Sequence, residues 1–257
     1  VDQKDVDKLR RVIYEIEDVI NAKKCNICNS YVDGFLPYKE GKEQENLLKY
    51  NMIGSDINNF SCPKCYSTDR TRHLFMYLNK LGLINELKGK QILHIAPEIH
   101  LYQIISNLEP ERYVCGDLFP ENAQVPSEKV DITNIQYNDE TFDIIICNHV
   151  LEHVPDDKKA MSEFYRVLKK GGFAILQTPY SPVIEKSYED FSLNTDELRL
   201  KHFGQEDHVR IFGLDLFNKI SEVGFNLDIK KNDDLFSSEE CRKFGVNPRE
   251  DLILVRK

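Results

Sequence analysis

The chain has 257 residues, 41% of them hydrophobic, and a net charge of −9. That length holds one large domain, or one domain with a small module, and the acidic balance without a lysine/arginine block disfavours nucleic-acid binding. The longest apolar runs, about six residues, are far short of a membrane span, and no signal-peptide pattern opens the sequence, so a cytoplasmic chain with no membrane partner is expected.

Val6, Leu9, Val12, Ile13, Ile16, Val19 and Ile20 recur at three- and four-residue steps, predicting an amphipathic helix within residues 1–24. Such a helix packs on its own domain or, alternatively, pairs with a second copy in a homodimer. Cys25-Asn26-Ile27-Cys28 and Cys62-Pro63-Lys64-Cys65 follow. Each CxxC turns two thiolates back onto one cation, and two of them complete a closed tetrahedral site. Cys25, Cys28, Cys62 and Cys65 are therefore expected to hold a structural zinc in a zinc-ribbon-like module over residues 25–70. An odd total of seven cysteines also fits a metal better than a disulfide framework. Between the pairs, aromatics mixed with Gly, Asn and Asp read as loops, short strands and a lid. Leu74, Phe75, Leu78, Leu81 and Leu87 predict a helix over Thr71–Leu87.

Gln91 to Ile95 reads as a buried strand, Tyr113 to Asp117 as a second and Lys129 to Ile132 as a short third. The link from Pro120 to Glu128 is too short for a full crossover helix. Phe142 to Cys147 is a continuous apolar run, which suits a parallel strand buried on both faces. Pro155-Asp156-Asp157 starts a helix, and Lys169-Lys170-Gly171-Gly172 stops it before a further strand, Phe173–Leu176.

The run FDIIICNHVLEHV, then RVLKKGGFAIL, then TPY, resembles the fourth-to-fifth-strand segment of class I S-adenosylmethionine-dependent methyltransferases. The resemblance covers roughly residues 91–257. It implies an α/β fold: a doubly wound, seven-stranded, mostly parallel sheet with an antiparallel edge hairpin, forming a methyltransferase domain over 71–257. It also implies S-adenosylmethionine as cofactor. His94, Ala96, Pro97 and Glu98 then occupy the first cofactor motif, with Ala96 and Pro97 where the family has glycines. Asp117, followed by Leu118, would accept the ribose hydroxyls, as acidic residues do at this strand end. Asp131 would face the adenine amine, with Ile132 beside the ring. Asn148 and His149 would border the sulfonium.

Residues 181–214 read as a substrate insert over the pocket. Tyr180, His202, Gln205 and Arg210 are candidate acceptor contacts. His208, adjacent to Asp207, is a candidate general base for a hydroxyl proton, with His149 the third catalytic candidate. Leu214–Val223 predicts a helix stopped by Gly224. Phe225–Ile229 and Leu252–Val255 predict the edge hairpin, joined by a charged insert, Lys230–Asp251. The expected activity is methylation of a small-molecule polar acceptor, such as a sugar or nucleotide-sugar hydroxyl in bacterial glycan or natural-product synthesis. The alternatives are a nucleic-acid or protein methyltransferase that captures substrate with the zinc module, and a non-enzymatic binding protein.

Overall fold

The computed structural model describes residues 2, 6, 22–38 and 48–257. The stretch expected as an amphipathic N-terminal helix lies outside the described residues apart from Val6, and with it the homodimer reading. A two-stranded antiparallel ribbon, β1 (Lys23–Lys24) and β2 (Tyr31–Val32), carries the first cysteine pair. Helices α1 (Asp69–Lys80) and α2 (Leu83–Glu86) then replace the single helix expected over Thr71–Leu87. The break falls at Gly82, whose φ of 73° only a glycine adopts cheaply, and its N–H closes back onto the Asn79 carbonyl.

Strand β3 (Gln91–Ile95), helix α3 (Ile99–Ser106), β4 (Arg112–Asp117) and β5 (Glu128–Lys129) build the first half of the sheet. A single 3₁₀ turn, Pro120–Asn122, replaces a crossover helix between β4 and β5, as the short link requires. The third strand ends earlier than expected. Asp131 accepts from both the N–H and Oγ1 of Thr133, which turns the chain just past β5. The second half holds β6 (Phe142–Asn148), α4 (Asp157–Val167) and β7 (Leu168–Gln177). Helix α4 ends at Val167, with Leu168 as its cap, just before the Lys-Lys-Gly-Gly segment expected to end it. That segment is the irregular start of β7, where Lys169 pairs with Asp143 at 3.0 Å.

The 181–214 insert is more ordered than a loop. It contains β8 (Tyr188–Glu189), α5 (Asp196–Phe203) and β9 (Arg210–Ile211), with β8 and β9 paired. Helix α6 (Asp215–Val223) ends at Gly224 and leads to β10 (Asn226–Leu227). The Lys230–Asp251 insert also holds structure: α7 (Asn232–Leu235) and α8 (Ser238–Phe244), the latter opened by a reciprocal Ser237/Glu240 capping box. Strand β11 (Leu254–Arg256) closes the chain's sheet.

The seven strands run in the order β10-β11-β7-β6-β3-β4-β5, with only β11 running opposite to the others. Strand β6 shows why its sequence lacks alternation. Ile145 and Cys147 pack with Ala160, Phe164 and Ile220 on one face, while Ile144 and Ile146 pack with Leu78, Leu101 and Cys241 on the other. Strand order reverses between β3 and β6, which opens a crevice at their carboxyl ends. Among the described residues no helix is long and apolar enough to cross a membrane.

Candidate active site and cysteine centre

The two CxxC segments fold as the same device. The Cys25 N–H donates to the Ser30 carbonyl and the Cys62 N–H to the Ser67 carbonyl. The residue after each second cysteine, Asn29 or Tyr66, takes a left-handed φ of 58° or 61°. The knuckles face each other with Cys25 and Cys65 sulfurs 3.7 Å apart and Cys28 and Cys62 sulfurs 3.9 Å apart. All four sulfurs lie within 4.8 Å of one another, and none is in a disulfide. Bonds of about 2.3 Å to a tetrahedral zinc require sulfur separations of about 3.8 Å. The donor set and spacing thus fit that ion.

Arg72 ties this centre to the rest of the fold. Its fully buried guanidinium donates to the carbonyls of Asn59, Ser67, Phe244 and Gly245 and lies 3.9 Å over the Phe35 ring. A cation here would offset the net negative charge of four thiolates around one divalent ion. Gly245 is required where Phe35 passes, since a Cβ would come within 2.2 Å of that ring.

At the crevice, Ala96 and His149 follow directly on the adjacent strands β3 and β6, and both are left-handed, with φ of 46° and 56°. Ala96 therefore adopts the backbone turn that a glycine would otherwise supply. The buried atoms His94 Nε2, Glu98 Oε2 and Asn148 Oδ1 make no close hydrogen bond, but His94 Nε2 and Glu98 Oε2 face each other at 3.5 Å. Asn148 Oδ1 is the acceptor left open, and with the Glu98 carboxylate beside it suits a ligand ammonium at the strand ends. His94 Nδ1 bonds the Tyr113 hydroxyl at 2.7 Å, and Asn148 Nδ2 donates to Glu98 Oε1 at 2.6 Å, which fixes both free atoms. Pro97 joins Ala96 to Glu98, which stands at the start of α3 without capping it. Asp117 ends β4, half-buried, and its carboxylate accepts only the Phe119 N–H among the described residues; Leu118 is exposed. Asp131 is exposed, whereas Ile132 is buried in the core.

A cavity of about 450 Å³ adjoins the end of β6. Residues 48–60 roof it, and that segment is bolted to the chain after β7 by paired backbone bonds between Ile53 and Tyr180. Gly54 makes the approach possible: a Cβ there would come within 2.9 Å of Pro179. The other walls are Phe203–Gln205 and His208 of the insert, Asn247–Arg249, and His149 with Glu152.

Beneath the cavity runs a buried polar chain. His149 Nε2 lies 3.2 Å from Glu250 Oε1, and its Nδ1 lies 3.6 Å from Glu152 Oε1. Burial alone would depress the His149 pKa, but hydrogen bonding to the two carboxylates raises it to about 9. Burial would conversely raise both glutamates, and their histidine partners instead hold them well below the usual carboxylate range. Glu250 continues to His73 Nδ1 at 3.3 Å, and Asn232 Nδ2 donates to His73 Nε2 at 2.8 Å.

Asp207 and His208, adjacent in sequence, both turn towards His153. Asp207 Oδ2 contacts His153 Nδ1 at 3.1 Å, and the His153 ring meets His208 edge-on at 4.7 Å. Burial pushes His208 down to about 4, with Glu152 opposing, so its imidazole is neutral at pH 7. Of the other acceptor candidates, Gln205 lines the cavity, and Tyr180 is buried against Phe217 beside it. His202 bonds Tyr188 instead, at 3.0 Å. Arg210 is fully buried away from the cavity lining, donating to the carbonyls of Leu151, Val154 and Pro155 and to Glu189. Its guanidinium holds the LEHV turn in place.

Residues 102–176 match a family model described as a methyltransferase domain. That match covers less than a third of the chain, the part from α3 through β7, and over it the chain is similar to S-adenosylmethionine-dependent methyltransferases. A demethylmenaquinone methyltransferase of Lactobacillus johnsonii is 34% identical over 71 residues, 26% of this chain and 29% of that protein. A probable methyltransferase of Aspergillus luteorubrus is 39% identical over 75 residues, 28% of this chain and 25% of that protein. The chain thus spans less than a third of the length of these curated relatives. Among solved structures, an S-adenosylmethionine-dependent methyltransferase from Mesorhizobium loti aligns at 12% identity and a TM-score of 0.48, covering 70% of this chain and 97% of that one.

Sequence reasoning missed Glu250, His73 and Arg70. Glu250 lies 177 residues from His73 and 101 from His149, so no local pattern joins them. His73 stands eight residues after Cys65, and nothing near it in sequence announces Glu250 as its partner. The one local signal was a cluster of ionisable residues, Asp69 to His73, immediately after the second knuckle.

Proposed function

We propose that this chain transfers a methyl group from S-adenosylmethionine to a small polar acceptor bound in the 450 Å³ cavity. The observation that carries this reading is the cavity's position: its wall at His149 and Glu152 adjoins the strand end where Asn148 Oδ1 is left open beside the Glu98 carboxylate. The volume suits a small molecule rather than a polymer segment. Polar lining residues Asn58, Gln205 and Asn247 suit a hydroxyl-rich acceptor such as a sugar or nucleotide sugar.

The donor, when bound, supplies an electrophilic methyl on a sulfonium. Asp117 would hold its ribose, Asp131 and Ile132 would border its adenine, and Glu98 with Asn148 would receive its ammonium. The residues' main task is alignment of the acceptor oxygen with that methyl. His208, neutral and facing the cavity, would accept the hydroxyl proton as the acceptor oxygen bonds the methyl and the methyl–sulfur bond breaks, releasing S-adenosylhomocysteine. The buried Glu152 anion below stabilises the resulting imidazolium, while Asp207 orients His153 beside it. His149 is already protonated and so contributes charge and position rather than basicity.

We further propose that the four cysteines hold a structural zinc, and that residues 25–70 form a module distinct from the catalytic domain at 71–257. A closed four-sulfur site offers no open position for substrate.

Mass spectrometry of small-molecule extracts incubated with the protein and methyl-labelled donor tests the function. The expected result is one class of low-mass product carrying the label. Label appearing only on added RNA, DNA or protein would overturn the small-acceptor reading.

A further inference from the structure

Arg70 and Arg72 stand two residues apart in α1 and have opposite fates. Arg72 donates to four backbone carbonyls at 2.5–2.8 Å. Arg70 has no hydrogen bond and no ion pair among the described residues, and its Nε is buried without a partner. Yet Arg70 lines the 450 Å³ cavity and also the small pocket behind it, formed with Asn148, Gln177 and Glu250. A partly buried guanidinium without a hydrogen bond or a close ion pair is costly, and proteins rarely keep one without use.

The nearby carboxylates are already engaged. Asp69 accepts the Asp56 N–H at 2.5 Å. Asp56 accepts from the Asn58 and Asn59 amides. Glu152 accepts the Thr178 hydroxyl and faces His149, and Glu250 lies between His149 and His73. Glu98 accepts from Asn148 with one oxygen, and its other oxygen faces His94 Nε2 at 3.5 Å and is not ion-paired to Arg70. Arg70 is close enough to act electrostatically on Glu98 and on His149, which places it between the strand end and the cavity.

We propose that Arg70 is an oxyanion-binding residue, receiving a carboxylate or phosphate at the inner end of the cavity. Guanidinium presents two parallel N–H donors to such a group, a geometry a lysine cannot copy. Two ligands could bring the oxyanion: the donor, through its methionine carboxylate, or an anionic acceptor. The donor case rests on the methyltransferase reading above.

Calorimetry on the full chain separates the sources, using S-adenosylhomocysteine, its decarboxylated analogue and inorganic phosphate. If the donor's carboxylate is the anion, the wild type binds S-adenosylhomocysteine about tenfold or more tightly than the analogue. Arg70→Gln then erases that difference and leaves the analogue's affinity unchanged. If the acceptor brings the anion, Arg70→Gln leaves both affinities unchanged but abolishes phosphate binding to the S-adenosylhomocysteine-saturated protein. Arg70→Lys, which keeps the charge, retains part of the affinity and a wild-type melting temperature, separating lost recognition from lost folding. An Arg70→Gln protein that melts as the wild type does and changes neither affinity nor phosphate binding overturns the proposal. If the wild type binds no S-adenosylhomocysteine at all, the methyltransferase reading fails on its own. Phosphate binding to the ligand-free chain, and its loss in Arg70→Gln, still decides the role of Arg70.

Discussion

His149 and Glu250 meet at 3.2 Å beneath the cavity, although the chain travels 101 residues between them. Each is almost fully buried, and Glu152 faces the other side of the same imidazole. The pair joins the end of β6 to the insert before β11. It makes the floor of the site depend on the protonation of one histidine.

Because the folded His149 pKa is raised to about 9, its stabilising effect is complete below its ordinary value of 6.5 and is lost as pH rises through 9. The shift is worth on the order of 3 kcal/mol. The glutamates are held low, so their share is present above the usual carboxylate range and is lost on acidification. Stability from denaturant unfolding should therefore peak between roughly pH 5 and 8 and decline towards pH 10. His149→Gln leaves two carboxylates unpaired and should cost about 3–5 kcal/mol at pH 7. The difference from wild type should shrink above pH 9. A pH-independent difference would show that the histidine is not charged in the folded state.

The cysteine centre yields a separate expectation. Metal analysis should find one zinc per chain, held by Cys25, Cys28, Cys62 and Cys65. Such a site supplies about 10–16 kcal/mol of binding energy to whatever it organises. Chelation should raise hydrogen exchange over 25–38 and 59–68. It should also loosen 244–245, whose carbonyls Arg72 holds. Strands β3, β6 and β7 should stay protected. Uniform loss of protection across sheet and module would contradict a separate module.

The active cavity can be tested through His208 and Asp207. His208→Gln should lower methyl transfer, followed by product mass spectrometry, by about a hundredfold or more, with S-adenosylhomocysteine affinity unchanged. Asp207→Asn should cost less, because Asp207 contacts His153 rather than His208. If the two variants lose activity equally, the residues act as one dyad after all.

The sheet was legible because its signals are local. The β6 run of Ile144 to Cys147 announces a strand buried on two faces, and the paired CxxC spacing announces four converging sulfurs. The helix break at Gly82 and the helices inside Lys230–Asp251 were less visible, since a lone glycine and a charged stretch fit loop and helix alike. The site was legible only in part. His208 and Gln205 could be read as cavity residues from their place after β7. Arg210 could not be distinguished from a substrate contact, because what removes it is a set of three backbone carbonyls that no side-chain pattern encodes. The partner of Asp207 was not legible either, since its carboxylate reaches back across 54 residues to His153.

The account rests on a nucleoside crevice at the carboxyl ends of β3, β4 and β6, with Asp117 as its sugar-binding group. Calorimetric titration of the full chain with S-adenosylhomocysteine tests this most directly. One ligand should bind per chain, and Asp117→Ala should weaken it about 10- to 100-fold, the loss expected for hydrogen bonds to a charged acceptor. Absence of binding by the wild type, or equal affinity in Asp117→Ala, would contradict the crevice as described.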